Sequence, residues 1–204
     1  MRIVHFLNQF FGGLGGEEKA NAEVQVFDGP VGPGRALQQA LGDSDEIVAT
    51  IVSGDNYFNE EKTRAVAAVE KALSTYKPDA VVAGPALNAG RYGLACGEVC
   101  VIAQGMGIAA VTGMYPENPG VLEYGRRAYI VPTGETPTEI AKQLDAMAKL
   151  ALKLARGEEM GPAEAEGYIP RGIRKAGLRD EPGAVRAVSM LAARLLASSP
   201  ARRQ

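Results

Sequence analysis

The sequence predicts an α/β fold in which a mainly parallel sheet carries helices on both faces. Short runs rich in valine, isoleucine and alanine recur along residues 1–157, and segments with helical spacing of apolar residues separate them. Most of these runs are apolar throughout, as in strands that are buried on both faces. Strands and helices that alternate in this way form sheets of the Rossmann or flavodoxin-like kind. An extended arm and a C-terminal amphipathic helix, residues 158–204, follow the predicted α/β domain of residues 1–157.

Five buried strands and one short edge strand account for the sheet. The buried strands are predicted at residues 3–7, 47–52, 80–83, 108–112 and 128–131, and the edge strand at residues 23–27. The strand at 80–83 precedes Gly84-Pro85, a pair that stops both helices and strands. We therefore expect this strand to end at Ala83.

Helices are predicted between these strands and at the end of the chain. Their expected ranges are residues 35–41, 60–76, 93–105, 137–157 and 183–197. Thr136 and Glu139 have the spacing of a capping box, and Pro137 stands at the first helical position. Gly157 is a typical left-handed terminator for the helix that begins there.

Composition excludes several classes of function. The 204 residues carry a formal net charge of −2, so the chain has no basic surface for nucleic acid or an anionic membrane. The longest apolar runs are shorter than the roughly 18 residues that span a bilayer. Without an export signal and with only two cysteines, a cytoplasmic protein with reduced thiols is expected.

A glycine-rich loop follows the first strand. Its glycines are Gly12, Gly13, Gly15 and Gly16, and Glu17 and Glu18 come directly after them. Glycine allows a backbone to approach an anion closely. This property is the argument for nucleotide binding. The loop lacks the third glycine of GxGxxG and has no GKS or GKT, and its two carboxylates would repel a phosphate. A mobile loop that covers a ligand is the favoured interpretation.

Polar residues follow the predicted strands at their carboxyl ends, where parallel sheets bind ligands. They predict a pocket for a small anion, in which Arg91 pairs with a carboxylate and Asn88, Ser53 and Thr112 orient it. Two adjacent strand ends, after residues 80–83 and 108–112, are expected to frame the crevice. For Arg91, a surface or interdomain salt bridge is the alternative.

The cysteines and the single histidine do not form a recognisable catalytic or metal motif. Cys96 and Cys100 lie four residues apart, on one face of a helix, and His5 is the only histidine. No metal site is expected from this set. Buried packing thiols are favoured over a reactive thiol, and His5 is interpreted as a core group that could alternatively face the crevice.

Five blocks of the sequence resemble a known family. They read NQFFGGLGGEEK at residues 8–19, VGPG at 31–34, GPALNAGRYG at 84–93, VTGMY with ENPG at 111–120, and GYIPRGIR at 167–174. Together they resemble the amino-terminal half of the component B selenoprotein of the glycine, sarcosine and betaine reductases. The resemblance extends over nearly the whole chain.

This resemblance implies a role in reductive C–N cleavage of glycine, sarcosine or betaine. In the family, component B is the substrate-specific protein, and it works with a pyruvoyl subunit, with component A and with a component C that releases acetyl phosphate. The family's selenocysteine lies in a second α/β half, beyond Gln204, so no residue here inherits the nucleophile. The resemblance implies a scaffold and half of a substrate pocket, with no cofactor held by this chain.

Two further expectations concern ligands and assembly. For a quaternary ammonium the pocket would also need aromatic faces, and Tyr57, Tyr92 and Tyr115 at three strand ends are the candidates; packing is the alternative for each. A non-catalytic scaffold with the same fold is the alternative function, with the arm and last helix wrapped around a partner or a second copy of the chain.

Overall fold

The computed structural model describes residues 1–172 and 181–198, and it confirms the predicted α/β fold. Six strands form one sheet in the order β2-β3-β1-β4-β5-β6. Their bounds are β1 (Arg2–Asn8), β2 (Gln25–Asp28), β3 (Glu46–Ser53), β4 (Ala80–Leu87), β5 (Ala109–Met114) and β6 (Tyr129–Pro132). Only β2 is antiparallel to its neighbour.

The five parallel strands follow the flavodoxin-like order 2-1-3-4-5 when they are counted by themselves. The chain leaves β1 for β3 on one side and then crosses to β4 on the other side. The sheet therefore has its topological switch point between β1 and β4.

Eight α-helices are described. They are α1 (Gly34–Leu41), α2 (Asp55–Glu60), α3 (Lys62–Tyr76), α4 (Gly90–Gly105), α5 (Pro119–Tyr124), α6 (Ile140–Ala155), α7 (Ala163–Glu166) and α8 (Gly183–Ser198). Leu37 of α1 and Leu144 of α6 pack on one face of the sheet, and side chains of α2, α3, α4 and α5 pack on the other. Both faces of the sheet are covered, as its apolar strands require.

The strand predicted at residues 80–83 does not end at Gly84-Pro85. It continues to Leu87 as β4, with an irregularity in its pairing to β5 between Ala83 and Leu87. Gly84 has φ +92° and Leu87 has φ +52°. A bulge thus accommodates the pair that was expected to stop the strand.

Several helix boundaries also differ from the prediction. The helix predicted at residues 60–76 corresponds to α3, and a further short helix, α2, precedes it. Helix α4 begins at Gly90 rather than at residue 93. The Thr136 side chain makes no capping hydrogen bond, and its hydroxyl lies 2.9 Å from that of Thr138. Gly157 adopts the predicted positive φ, +67°.

Residues 158–172 pack against the β6 edge of the sheet and belong to the first compact unit, Met1–Gly172. The Ile169 N–H donates to the Ile130 carbonyl (2.7 Å). The Arg171 guanidinium lies 4.4 Å from the centre of the Tyr129 ring. This part of the predicted arm therefore covers an edge strand of its own sheet.

The second unit contains α8, the predicted C-terminal helix, which has exposed apolar side chains at Val185, Val188, Met190 and Leu191. The remainder of the predicted arm, residues 173–180, and the last residues of the chain, 199–204, lie outside the described residues. None of the described helices has the length and apolar content needed to cross a membrane.

Candidate functional site

The switch point brings together polar residues that are distant in the sequence. Asn8 ends β1 and Gln9 follows it. Asp55 begins α2, separated from β3 by one residue, and Arg91 lies in the first turn of α4 after β4. In flavodoxin-like sheets this crevice, at the carboxyl ends of the strands, is where ligands bind. It is the candidate functional site of this chain.

The glycine-rich loop lies at this edge and is fixed at both ends. The Gly12 N–H donates to the Asn8 carbonyl (2.8 Å), and a Cβ at Gly12 would lie 2.3 Å from the Val52 side chain. At the other end, the Ala20 carbonyl accepts hydrogen bonds from the N–H groups of Asn56 and Tyr57. Between these ends, Gly13 and Glu17 are exposed to solvent.

Several backbone donors of this loop are used within the loop itself. The N–H groups of Gly13 and Leu14 donate to the carbonyls of Phe10 and Gln9, and the Gly16 N–H donates to the Glu18 carboxylate. An anion cradle needs free N–H groups that point at the ligand. The loop geometry therefore favours a cover over the edge and gives no support to nucleotide binding.

Asp55 is the central group of the site, and the sequence analysis did not select it. Its side chain is only 8% exposed. Asn8 Nδ2 donates to Asp55 Oδ2 (3.1 Å), and the Asp55 N–H donates to Gln9 Oε1 (3.0 Å). Within residues 1–172 and 181–198, Asp55 Oδ1 has no hydrogen-bond partner.

Burial dominates the electrostatics of this carboxyl group. It raises the pKa of Asp55 above its ordinary value. Hydrogen bonds to Asn8 and Gln9 and the positive charge of Arg91 lower this pKa, and the charge of Glu17 raises it. A buried carboxylate with an unpartnered oxygen lowers the stability of the fold unless a hydrogen-bond donor or a cation contacts that oxygen. The site can therefore bind a positively charged group at Asp55.

Arg91 provides the positive charge of the site. Its Nη2 lies 3.2 Å from Glu17 Oε2, and the two side chains are 54% and 81% exposed. Asn59 Nδ2 donates to the carbonyls of both Asp55 (2.8 Å) and Arg91 (3.0 Å). Asn59 thus connects the anionic and cationic residues of the edge.

The other predicted site residues lie at different depths. Ser53 and Thr112 are buried, and no partner for the Thr112 hydroxyl is found in the described part of the chain. Asn88 is exposed, and its Nδ2 donates to Glu135 Oε1 (3.1 Å). The structure thus brings Arg91 together with the glycine loop, and it places Asn88 beside Glu135 instead.

The three predicted tyrosines are mainly packing groups in this structure. Tyr92 is fully buried, with the rings of Phe6 and Phe11 centred 6.4 and 6.0 Å from its own. Tyr57 is buried and Tyr115 is half-buried. Neither face of Tyr92 is open to a ligand.

The neighbouring gap between β4 and β5, predicted as the crevice, is filled by Asn118. Its Nδ2 donates to the carbonyls of Leu87 (2.9 Å) and Ala89 (3.1 Å), and its Oδ1 accepts from the Gly120 N–H (2.8 Å). A Cβ at Gly93 would lie 2.1 Å from Asn118 Oδ1. The amide group of Asn118 is therefore hydrogen-bonded, and its side chain occupies the space beside Gly93.

The remaining candidate groups are buried away from the edge. Cys96 and Cys100 are fully buried free thiols, and burial raises the pKa of both. His5 is also fully buried, its Nε2 lies 2.7 Å from the Gly84 carbonyl oxygen, and burial lowers its pKa to about 4. In the described ranges, no cluster of three or more histidine, cysteine or acidic side chains could hold a metal ion.

Comparison with known proteins adds the family. The model of the family described as "Glycine/sarcosine/betaine reductase selenoprotein B (GRDB)" matches residues 1–199. The chain is 51% identical over 195 residues to "Glycine reductase complex component B subunit gamma" of Carboxydothermus hydrogenoformans (strain ATCC BAA-161 / DSM 6008 / Z-2901). It is 45% identical over 196 residues to "Sarcosine reductase complex component B subunit beta" of Peptoclostridium acidaminophilum. It is 39% identical over 197 residues to "Betaine reductase complex component B subunit beta" of the same organism.

These alignments cover 95 to 96% of this chain but only 45% of each relative. The chain thus spans about half the length of the curated relatives it matches. No solved structure gives a significant match. Because the family match extends from residue 1 to residue 199, the chain belongs to the glycine/sarcosine/betaine reductase selenoprotein B family.

Proposed function

We propose that this chain is the substrate-side α/β segment of a component B in a glycine, sarcosine or betaine reductase complex. Its carboxyl edge at the switch point binds the carboxylate of a small amine through Arg91. The nucleophile that attacks the substrate comes from a segment outside this chain.

The observation that carries the proposal is the contact between Arg91 and Glu17. A guanidinium at the switch point already holds a carboxylate, with 3.2 Å between Arg91 Nη2 and Glu17 Oε2. The pair is exposed, so the carboxylate can be exchanged at little cost. The carboxylate of a small substrate can occupy the same position once the loop withdraws Glu17.

Membership of the family supports the reaction class. The curated relatives are named as component B subunits of glycine, sarcosine and betaine reductase complexes, and all three kinds of substrate bear a carboxylate. The proposed partners are the remaining segment of component B, which bears the selenocysteine or a cysteine in its place, the pyruvoyl subunit and component A.

The carboxylate contact is tested by calorimetry with glycine, sarcosine and betaine. Arg91→Ala should weaken binding of the preferred ligand at least about tenfold, because a charge-assisted contact is lost. Arg64→Ala is the matched control, since Arg64 forms a similarly exposed pair with Glu23 (3.1 Å). Equal affinities for the wild type and Arg91→Ala would refute the contact.

The partner proposal is tested by affinity capture of the tagged chain from its source organism, followed by intact-mass measurement. We expect a stoichiometric partner that contains selenocysteine, or a cysteine in its place. A bait of 21.4 kDa without such a partner would contradict the catalytic assignment.

Exposed apolar side chains on α8 favour a second candidate, a non-catalytic assembly module. Val188 and Met190 are more than half exposed, as in helices that dock on a partner. Truncation after Gly172 keeps the first compact unit whole. If α8 mediates assembly, light scattering should show a smaller particle for the truncated chain, whereas an unchanged subunit number would exclude this role.

A further inference from the structure

The unpartnered oxygen of Asp55 is the feature that the proposed carboxylate contact leaves unused. Three contacts fix the residue: Oδ2 to Asn8, the N–H to Gln9 and the carbonyl to Asn59. Oδ1 is enclosed, and the described residues offer it no donor. Carboxylate oxygens in such surroundings normally accept hydrogen bonds.

We infer that Asp55 binds the ammonium group of the substrate and selects an amine that carries at least one N–H over its quaternary analogue. This inference rests on the proposed function, in which Arg91 binds the carboxylate of the same molecule. Asp55 and Arg91 then form a receptor for a small zwitterion, with one charged residue for each end. Asn59 holds the two residues together through their carbonyl groups.

Charge supports this assignment. Arg91 is near enough to lower the pKa of Asp55, yet burial outweighs it and the pKa is raised. In the free protein, the negative charge of this carboxylate is therefore only partly balanced by nearby donors and positive charge. An ammonium group that donates to Oδ1 supplies the missing hydrogen bond and the missing charge together.

Two of the three predicted tyrosines, Tyr57 and Tyr92, do not offer a ring face to a quaternary nitrogen. Such a cation needs the open face of an aromatic ring, within about 6 Å of its centre. Tyr92 is fully buried beneath Phe6 and Phe11, and Tyr57 is also buried. Recognition of the nitrogen at Asp55 therefore depends on N–H donors.

Asp55 Oδ1 is enclosed, so a ligand reaches it only if groups at this edge move, and the proposal assigns that movement to the glycine loop. Glu17 is tied to the edge by its exposed pair with Arg91, and Gly13 and Gly15 in the same loop have φ +75° and +148°. A substrate carboxylate that replaces Glu17 at Arg91 releases this part of the loop. The ammonium group can then reach Oδ1.

The test is calorimetry on the full chain with glycine, sarcosine, N,N-dimethylglycine, betaine and acetate. The wild type should bind the ligands that carry N–H groups about tenfold or more tightly than betaine. Asp55→Asn should abolish most of that preference without weakening acetate, which has no ammonium group. Asp43→Asn, at an exposed aspartate, should behave as the wild type.

The outcomes separate this inference from the proposed function. If glycine binds but Asp55→Asn keeps the wild-type preference, or if the wild type binds betaine as tightly as glycine, the role of Asp55 is overturned while the Arg91 contact stands. If no carboxylate binds, the proposed function fails, and the inference fails with it. Asp55→Glu replaces the asparagine variant in this test if the latter does not fold. It keeps the charge and should change the order of affinities among the amines.

Discussion

Two neighbouring gaps at the same edge of the sheet differ in how their polar groups are satisfied. Between β4 and β5, Asn118 is 1% exposed and makes three hydrogen bonds. At the switch point, Asp55 is nearly as buried, but one of its carboxylate oxygens lacks a partner in the described part of the chain. The first arrangement stabilises the fold, whereas the second costs stability.

The proposed function takes the second gap as the one that binds a ligand. Native proteins hydrogen-bond nearly all of their buried polar groups, so an exception needs a physical reason. Strain and unsatisfied groups concentrate at functional sites. The following substitutions test whether the two gaps differ in this way.

The largest effect is expected in the closed gap. A Cβ at Gly93 would lie 2.1 Å from Asn118 Oδ1, and both residues are buried. Gly93→Ala should therefore lower the free energy of unfolding by about 3 kcal/mol or more, since it overpacks the site and displaces a hydrogen-bonded side chain. Urea denaturation measures this change.

Gly105→Ala in the same helix is the matched control. No heavy atom lies within 4 Å of a Cβ there, so helix propensity should leave stability unchanged or raise it by less than about 1 kcal/mol. Comparable losses for both variants would mean that the gap between β4 and β5 is not tightly closed.

His5 provides another buried atom without a partner among the described residues, and it sharpens the comparison. Its Nδ1 lacks a partner among the described residues, but a Cβ at Gly34 would lie only 3.0 Å from it, so a ligand has no space there. The folded pKa, about 4, lies below the ordinary 6.5. Stability should be full above pH 6.5 and should fall by about 3 kcal/mol as the pH drops to about 4, because only the unfolded chain takes up the proton.

His5→Gln should remove this pH dependence and leave glycine affinity unchanged. Denaturation curves across this pH range, together with one binding titration, measure both effects. A variant that loses glycine binding would place His5 in the site and weaken the argument from available space.

Asp55→Asn should raise stability at neutral pH by about 1 kcal/mol, because it removes a buried charge without a full set of donors. The pKa of Asp55 is raised in the folded state. Below the ordinary pKa of 3.8 the carboxyl group is protonated in both states, so the advantage of asparagine should be small there. It should grow as the pH rises above 3.8 and level off above the folded pKa.

Asp43→Asn, at an exposed position, should show no such trend in the same denaturation series. A destabilised Asp55→Asn at neutral pH would mean that the carboxylate is fully compensated in the folded chain, contrary to the comparison of the two gaps.

The smallest effect on stability is expected for Glu17→Gln. Its pair with Arg91 is exposed, so the free energy of unfolding should change by less than about 0.5 kcal/mol. Affinity for glycine should rise about threefold, since an internal competitor for Arg91 is weakened. A large loss of stability would show that the loop is a rigid part of the fold.

The sequence was sufficient to predict the fold class, whereas the site residues stay a prediction. Alternation of apolar runs with helical segments predicted the sheet, and Arg91 and the glycine loop were both assigned to its carboxyl edge. Asp55 lies in a polar turn after a predicted strand, Ser53-Gly54-Asp55-Asn56-Tyr57, and this turn is equally typical of a helix entry because aspartate is a common capping residue. Its partners Asn8 and Gln9 are 47 and 46 residues away in the chain, and only the strand order brings them together.

Asn118 illustrates a gap that is filled in a way the local sequence does not predict. Its sequence context, Glu117-Asn118-Pro119-Gly120, predicts a turn, and the structure has it at the N-cap of α5. Nothing in that context indicates that the side chain reaches back to Leu87 and Ala89 across the end of β4. Whether a strand-end gap is open or filled depends on such contacts between distant segments.

The most direct test of the central claim is a titration of the ¹⁵N-labelled chain with glycine, followed through its backbone amide resonances. Binding at the switch point predicts shifts at residues 12–19, at Asp55 and at Arg91, with little change at Asn118 and Gly120. Shifts centred on Asn118 and Gly120, or no shifts at saturating glycine, would contradict the assignment of the switch point as the substrate site.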